Sequence, residues 1–182
     1  MKTDKIDDVL DFWFEQTSAE QRFTKDLAFD ETIRSRFGDL IEDALDGKLA
    51  SWSASKNGLM ALVIIFDQFT RNIYRDTAKA FAGDVKALAL SLEGQERGYL
   101  ESFDEYWRIF LLMPMMHSED LAVQELSLPL FEKYTDAETH DYAVRHRDII
   151  KRFGRFPHRN EALGRETTEE EFRFLQQPGS SF

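Results

Sequence analysis

The residues best suited to chemistry are gathered in one string, Arg152-Phe153-Gly154-Arg155-Phe156-Pro157-His158-Arg159-Asn160. Gly154 can turn the chain, Phe156 must be extended because Pro157 follows it, and Pro157 suits the first turn of a new helix. Arg155, His158, Arg159 and Asn160 are then gathered around a helix start. Its free N–H groups, together with guanidinium forks, are the usual parts of a carboxylate or phosphate site. Charge gives the same emphasis. From Arg145 to Arg165 the chain carries +5, inside a protein whose net charge is -11. A local positive site on a negative body suits an anion or an acidic partner, and it equally suits salt bridges between packed helices.

A second string, Asp67-Gln68-Phe69-Thr70-Arg71-Asn72-Ile73-Tyr74-Arg75, places Asp67, Arg71 and Arg75 at successive four-residue steps. Asp67 and Arg71 attract, whereas Arg71 and Arg75 need an acid from elsewhere. If this helix end meets the Gly154 loop, Arg71, Asn72 and Arg75 join Arg152, Arg155, His158, Arg159 and Asn160 as ligand-binding candidates. Proton transfer would fall to His117, His146 or His158. His146 shares the apolar stripe of Tyr142, Ile149, Ile150 and Phe153, which places it in the core. His117-Ser118-Glu119-Asp120 lacks the paired-histidine helical spacing of a zinc peptidase, so no metal is expected there. No glycine-rich phosphate loop and no Gly-x-Ser-x-Gly elbow occurs, and no cofactor is expected.

The elements that must position these residues read as helices throughout. Sustained alternation and Asn-Gly hairpin signals are missing. The apolar spacing predicts helices over about Asp4–Glu15, Asp30–Leu45 (stopped by Gly47), Lys56–Ile73 and Lys79–Glu96. Ser102 with Glu105 reads as a capping box for a fifth helix that Pro114 ends or kinks. Ser118 caps a sixth, bent or broken by Pro129, and Ala137–Phe153 forms a seventh. A short turn follows Pro157, and Thr167-Thr168 opens the last helix ahead of Glu170-Glu171. Val85, Ala89, Leu92, Ala122, Leu126 and Phe172 are assigned to inward faces. The result is an all-α chain of about eight helices, paired as antiparallel hairpins with short connections.

Composition sets the limits. A length of 182 residues, 42 % hydrophobic with sixteen Phe and three Trp, supports one domain with an aromatic core, residues 1–182, frayed from about residue 177. Absence of cysteine excludes disulfides and thiolate chemistry. The acidic start of the chain carries no export signal, and no apolar run approaches the ~20 residues that a membrane span needs. A cytoplasmic location is therefore expected, without a membrane. A pI of about 4.8 argues against nucleic acid as a partner.

The two strings above, with Met113-Pro114-Met115-Met116-His117-Ser118-Glu119-Asp120 and Leu163-Gly164-Arg165, resemble the domain-of-unknown-function family numbered nine hundred and twenty-four. The resemblance spans almost the whole chain, and Arg152 to Asn160 is its most specific part. It implies an all-helical fold similar to tetratricopeptide superhelices, stacked from helical hairpins, and no established activity. Thr70 stands where the family commonly has Pro, Thr167 near where it usually has Ser, and Pro129 interrupts a helix that the family pattern would continue.

Three functional readings follow. The leading one is a non-enzymatic helical binding module with an anion-accepting pocket for an acidic peptide, a carboxylate or a phosphate. The alternative is an enzyme with a histidine general base and arginines holding an anionic substrate, which requires histidine and carboxylate to converge with at least one histidine exposed. In the third, the motif only locks the last helices onto the hub of the core, the Lys56–Ile73 helix, whose middle from Leu59 to Phe66 is apolar all round.

Overall fold

The structure is a computed structural model that describes residues 4–181; Met1, Lys2, Thr3 and Phe182, parts of the expected acidic start and frayed tail, lie outside the described residues. Among the described residues every regular element is helical. Helix α1 (Lys5–Leu10) is capped by Asp4 and continues into a π-helical stretch, Asp11–Gln16. The short α2 (Ala19–Phe23) begins with a Ser18/Gln21 capping box. Helix α3 (Leu27–Leu45) starts earlier than its apolar pattern suggests, because Asp26 accepts the N–H groups of Ala28 and Phe29. Its stop at Gly47 uses the left-handed φ of 82° that glycine accepts without strain.

The hub is one continuous run made of α4 (Lys56–Val63), a π-helical stretch (Ile64–Phe69) and α5 (Thr70–Ile73). Every residue from 58 to 70 is buried, as the all-round apolar character of Leu59 to Phe66 predicts for that part, and the burial extends to Asp67, Gln68 and Thr70. The π stretch puts Asp67 into that buried wall. It is held open by Thr70, whose N–H reaches the Ile65 carbonyl while its hydroxyl donates to the Phe66 carbonyl at 2.8 Å. Trp13, Phe29, Phe37 and Phe110 gather around Phe69 of the hub, linked by stacked, tilted and edge-on ring contacts.

The predicted fourth helix is divided. A 3-10 turn (Ala78–Phe81) precedes Gly83, and α6 (Asp84–Glu96) follows. The break has a steric cause: a Cβ on Gly83 would lie 2.3 Å from the Phe66 carbonyl oxygen, so the chain can cross the hub only at a glycine. That crossing carries Asp84 to Arg71. Val85, Ala89 and Leu92, assigned inward from the sequence, are exposed; α6 packs instead through Ala87, Leu90, Ser91 and Gly94. Small residues let α6 approach α8 closely enough for the Ser91 hydroxyl to donate to the Leu111 carbonyl at 2.5 Å.

After the short α7 (Tyr99–Ser102) comes α8 (Glu105–Met116), capped by Asp104 rather than Ser102. Helix α9 (Leu121–Tyr134) is capped by Asp120 rather than Ser118. Both continue through their prolines, Pro114 and Pro129. Each proline removes one backbone donor. Burial of Phe110, Leu111, Met113 and Met115 around the first, and of Ser127 and Phe131 around the second, keeps the flanking turns helical. On α9 the inward face is Gln124, Ser127 and Phe131, leaving Ala122 and Leu126 exposed. Helix α10 (Ala137–Phe153) ends at Gly154, whose φ is 69°. A 3-10 turn begins at Pro157, and α11 (Glu169–Leu175) opens with a Thr168/Glu171 capping box that leaves Phe172 exposed.

Helices α8, α9 and α10 pack in sequence, and α6 lies against both α4 and α8. Most buried side chains form one cluster around the hub, while Ile149, Ile150 and Phe156 form a smaller one under α11. The polar residues of interest lie between the two.

Candidate functional site

Asp67 has no exposed surface, and each of its carboxylate oxygens is occupied. Oδ1 lies 2.7 Å from His117 Nδ1 and 3.4 Å from Arg71 Nη1. Oδ2 accepts from Gln68 Nε2 at 2.6 Å. Burial by itself would raise the Asp67 pKa, but His117, Arg71 and the hydrogen bonds outweigh it and hold the carboxyl well below the usual carboxylate range. His117 follows α8, with its side chain 17 % exposed. Burial lowers its pKa, Asp67 opposes that shift, and Arg71 and Arg159 reinforce it. The net direction is downward, so at neutral pH His117 is a neutral imidazole. Its Nδ1–H donates to Asp67 and its Nε2 carries the lone pair.

Arg71 extends the network. It donates to the Asp67 carbonyl at 2.9 Å and grips Asp84 with both terminal nitrogens, at 2.9 and 3.1 Å. Arg159 shares Asp84, through Nη1 to Oδ2 at 3.0 Å, and its Nη2 donates to the His117 carbonyl at 3.0 Å. The two strings therefore meet through Arg71 and Arg159, with Asp84 as the bridge, while Asn72 and Asn160 turn elsewhere. The Arg159 guanidinium lies 4.7 Å from the Phe81 ring centroid and 4.6 Å from that of Phe156. Its Nε is buried and meets no acceptor among the described residues. Burial, followed by the charge of Arg71, brings the Arg159 pKa down to about 10.

Three histidines converge here. The His117 and His146 rings are 6.1 Å apart, and Phe156 lies 5.6 Å from both His146 and His158. His146 is buried, as its stripe predicts, and its Nδ1–H donates to the Tyr142 carbonyl at 2.7 Å. Burial is the main reason that His146 is pushed down to about 3 and His158 to about 4, with neighbouring cations adding to it.

The remaining candidates are held apart from this cluster. Arg155 makes a two-pronged pair with Glu171 at 2.6 and 2.8 Å, and that hydrogen bonding takes Glu171 down to about 2. Asn160 is buried, donating to Glu171 and Thr167 and accepting from Arg165. Arg165 in turn grips Glu119, which also accepts the Phe156 N–H at 2.8 Å. Asn72 and Arg75 both turn to Asp30 on α3. Arg152 pairs with Glu170 at the surface. No group of three or more metal-binding side chains occurs among the described residues.

Sequence reasoning passed over Asp84, and it read Glu119 and Glu171 as helix-start acids without assigning them to the cations they bring together. An acid surrounded by apolar residues was visible at Asp67. Asp84 carries no such signal, because it reads as an ordinary first-turn acid.

None of the described helices is long and apolar enough to cross a membrane. No curated protein matches the chain. A similar solved structure is that titled "Structure of Protein of Unknown Function ATU0120 from Agrobacterium tumefaciens", 37 % identical, covering 94 % of this chain and 97 % of that one, with a TM-score of 0.89. The strings that meet at Asp84 and His117 are also those that carry the sequence resemblance, and residues 9–179 match the family described as "Bacterial protein of unknown function (DUF924)", to which the chain belongs.

Proposed function

We propose that this protein is an acid–base catalyst whose proton-transfer group is His117, with Asp67 as its orienting carboxylate. The observation that carries the proposal is the 2.7 Å Asp67–His117 contact between a fully buried acid and a partly exposed imidazole. A carboxylate on Nδ1 fixes the tautomer and leaves Nε2 as the base. Burial, reinforced by Arg71 and Arg159, keeps the resting imidazole neutral, and the two guanidiniums would stabilise negative charge developing beside it. His117 meeting a buried carboxylate, with His146 beside it, favours catalysis over passive binding, since charge-paired arginines alone would need neither.

The binding reading keeps one supporting observation, the Arg159 Nε–H, which an oxyanion oxygen could satisfy. Arg155 contributes less to it, because Glu171 already fills its fork.

The test is turnover across a panel of esters, lactones and phosphate monoesters. The activity found should fall by about 100-fold or more in His117→Gln, as loss of a general base does, while Arg152→Ala leaves it intact. Diethyl pyrocarbonate should modify His117 in the folded protein and spare His146. A His117→Gln variant with undiminished turnover would overturn the proposal.

A further inference from the structure

At the other end of α8 from His117, a depression of about 300 Å³ lies where the Asp11–Gln16 stretch, α2 and the first turn of α8 meet. Phe14, Tyr106 and Trp107 supply aromatic surface, Glu15 and Asp104 supply carboxylates, and Arg22 is the cation present. We infer that this depression binds a small methylated ammonium ion, of the choline or tetramethylammonium type.

The wall is rigid. Phe14 and Trp107 stack with centroids 4.6 Å apart and planes 15° from parallel. Tyr106 is 55 % exposed, a large aromatic surface left facing solvent. Aromatic faces attract cations through their quadrupole, and a quaternary ammonium loses little on leaving water because it has no N–H to satisfy. The pocket already displays that preference: the Arg22 guanidinium sits 5.7 Å from the Tyr106 centroid.

Arg22 does not fill the requirement. Its donors go to the carbonyls of Trp13, Phe14 and Thr17 at 2.9, 3.0 and 2.7 Å, so it closes the end of the π-helical stretch rather than bridging the two acids. Asp104 accepts the Trp107 N–H as the cap of α8, which fixes it beside the ring. Two carboxylates face one committed guanidinium, leaving the pocket short of positive charge. A primary ammonium would need several acceptors at once, whereas a methylated one needs only faces and field.

The experiment is a titration of the full chain with choline chloride, followed by the Trp107 indole NMR resonance against a sodium chloride control of equal ionic strength. The neutral isostere 3,3-dimethyl-1-butanol is titrated in parallel. Choline should give a saturable shift and the alcohol none. Tyr106→Leu and Glu15→Gln, both at exposed positions, should each weaken choline by about 2- to 5-fold. A trimethyllysine peptide in place of choline distinguishes a modified side chain from a free ligand. No saturable shift with choline, or an equal response to the alcohol, would overturn the inference. Neither outcome bears on His117.

Discussion

Arg155 and Arg159 stand four residues apart in one loop, and the two sides of that loop differ in what surrounds them. Arg155 is partly exposed and holds a single buried acid, Glu171, in a two-pronged pair. Glu171 also accepts the Thr168 N–H and a donor from Asn160, so this side fastens the start of α11 to the loop. Arg159 is buried between two rings, shares its acid with Arg71, and adjoins three imidazoles held neutral. One side is a closed lock whose charges balance locally. The other is a chain of shared partners, Arg159–Asp84–Arg71–Asp67–His117, in which a change in protonation at one end is felt at the other. Similar residue types thus produce a fastening and a titratable site, depending on whether each acid is used once or shared.

The largest effect that would sharpen this contrast is on pH. His146 and His158 titrate at about 3 and about 4 in the folded chain, and His117 is also lowered. With folded values below the unfolded one of about 6.5, the unfolded chain takes up more protons as pH falls. Stability is therefore complete above that value and lost on acidification, by about 1.4 kcal/mol per pH unit for each proton difference. The lowered carboxylates around the loop, Asp67, Glu119 and Glu171, add their loss only below about pH 4.5, the unfolded carboxylate range. Urea unfolding should show a steep fall in stability between about pH 6.5 and 4.5, reduced in slope by His146→Phe. Hydrogen exchange should find the His117 side loosening in that window while α11 stays protected. Equal loosening of both sides would erase the distinction.

Next in size is Asp67→Ala. Removing a fully buried acid leaves Arg71 and His117 without their shared partner, which costs about 3–5 kcal/mol. Thermal unfolding measures the loss. With Asp67 gone, the His117 pKa should fall further, since the attraction that opposed burial has disappeared. A rise would mean that Asp67 does not control His117.

Much of this arrangement was legible in the sequence, for identifiable reasons. The middle of the hub, Leu59 to Phe66, is apolar on every face, and no other element is so simple. Gly154, Pro157 and Thr168 act locally through φ, ring closure and capping, so their roles survive without knowledge of the fold. What periodicity could not supply was any contact made by small residues. Ser91 and Gly94 set the orientation of α6, and Gly83 sets the crossing that delivers Asp84, yet none adds to an apolar stripe. Expecting Val85 and Leu92 to point inward follows from counting hydrophobicity where close approach decided. The same limitation hid the site: His117 and Asp67 are fifty positions apart, and only packing of α8 on the hub joins them.

The smallest effects test whether the Arg155 side is only a lock. Glu171→Ala removes the bond from Arg155 and one half of a capping box, and a lost cap costs about 1 kcal/mol. The consequence should be confined to α11, with faster amide exchange from 169 to 175 and little change in the unfolding of the hub. Arg152→Ala is the control for charge alone. Its pair with Glu170 is exposed on both sides, at 50 % and 64 %, and such pairs contribute about 0–1 kcal/mol. If Glu171→Ala changes the His117 titration as strongly as it frees α11, the lock and the site are one network. If only α11 responds, the loop contains two independent devices four residues apart, and the search for chemistry narrows to the side that carries Arg159.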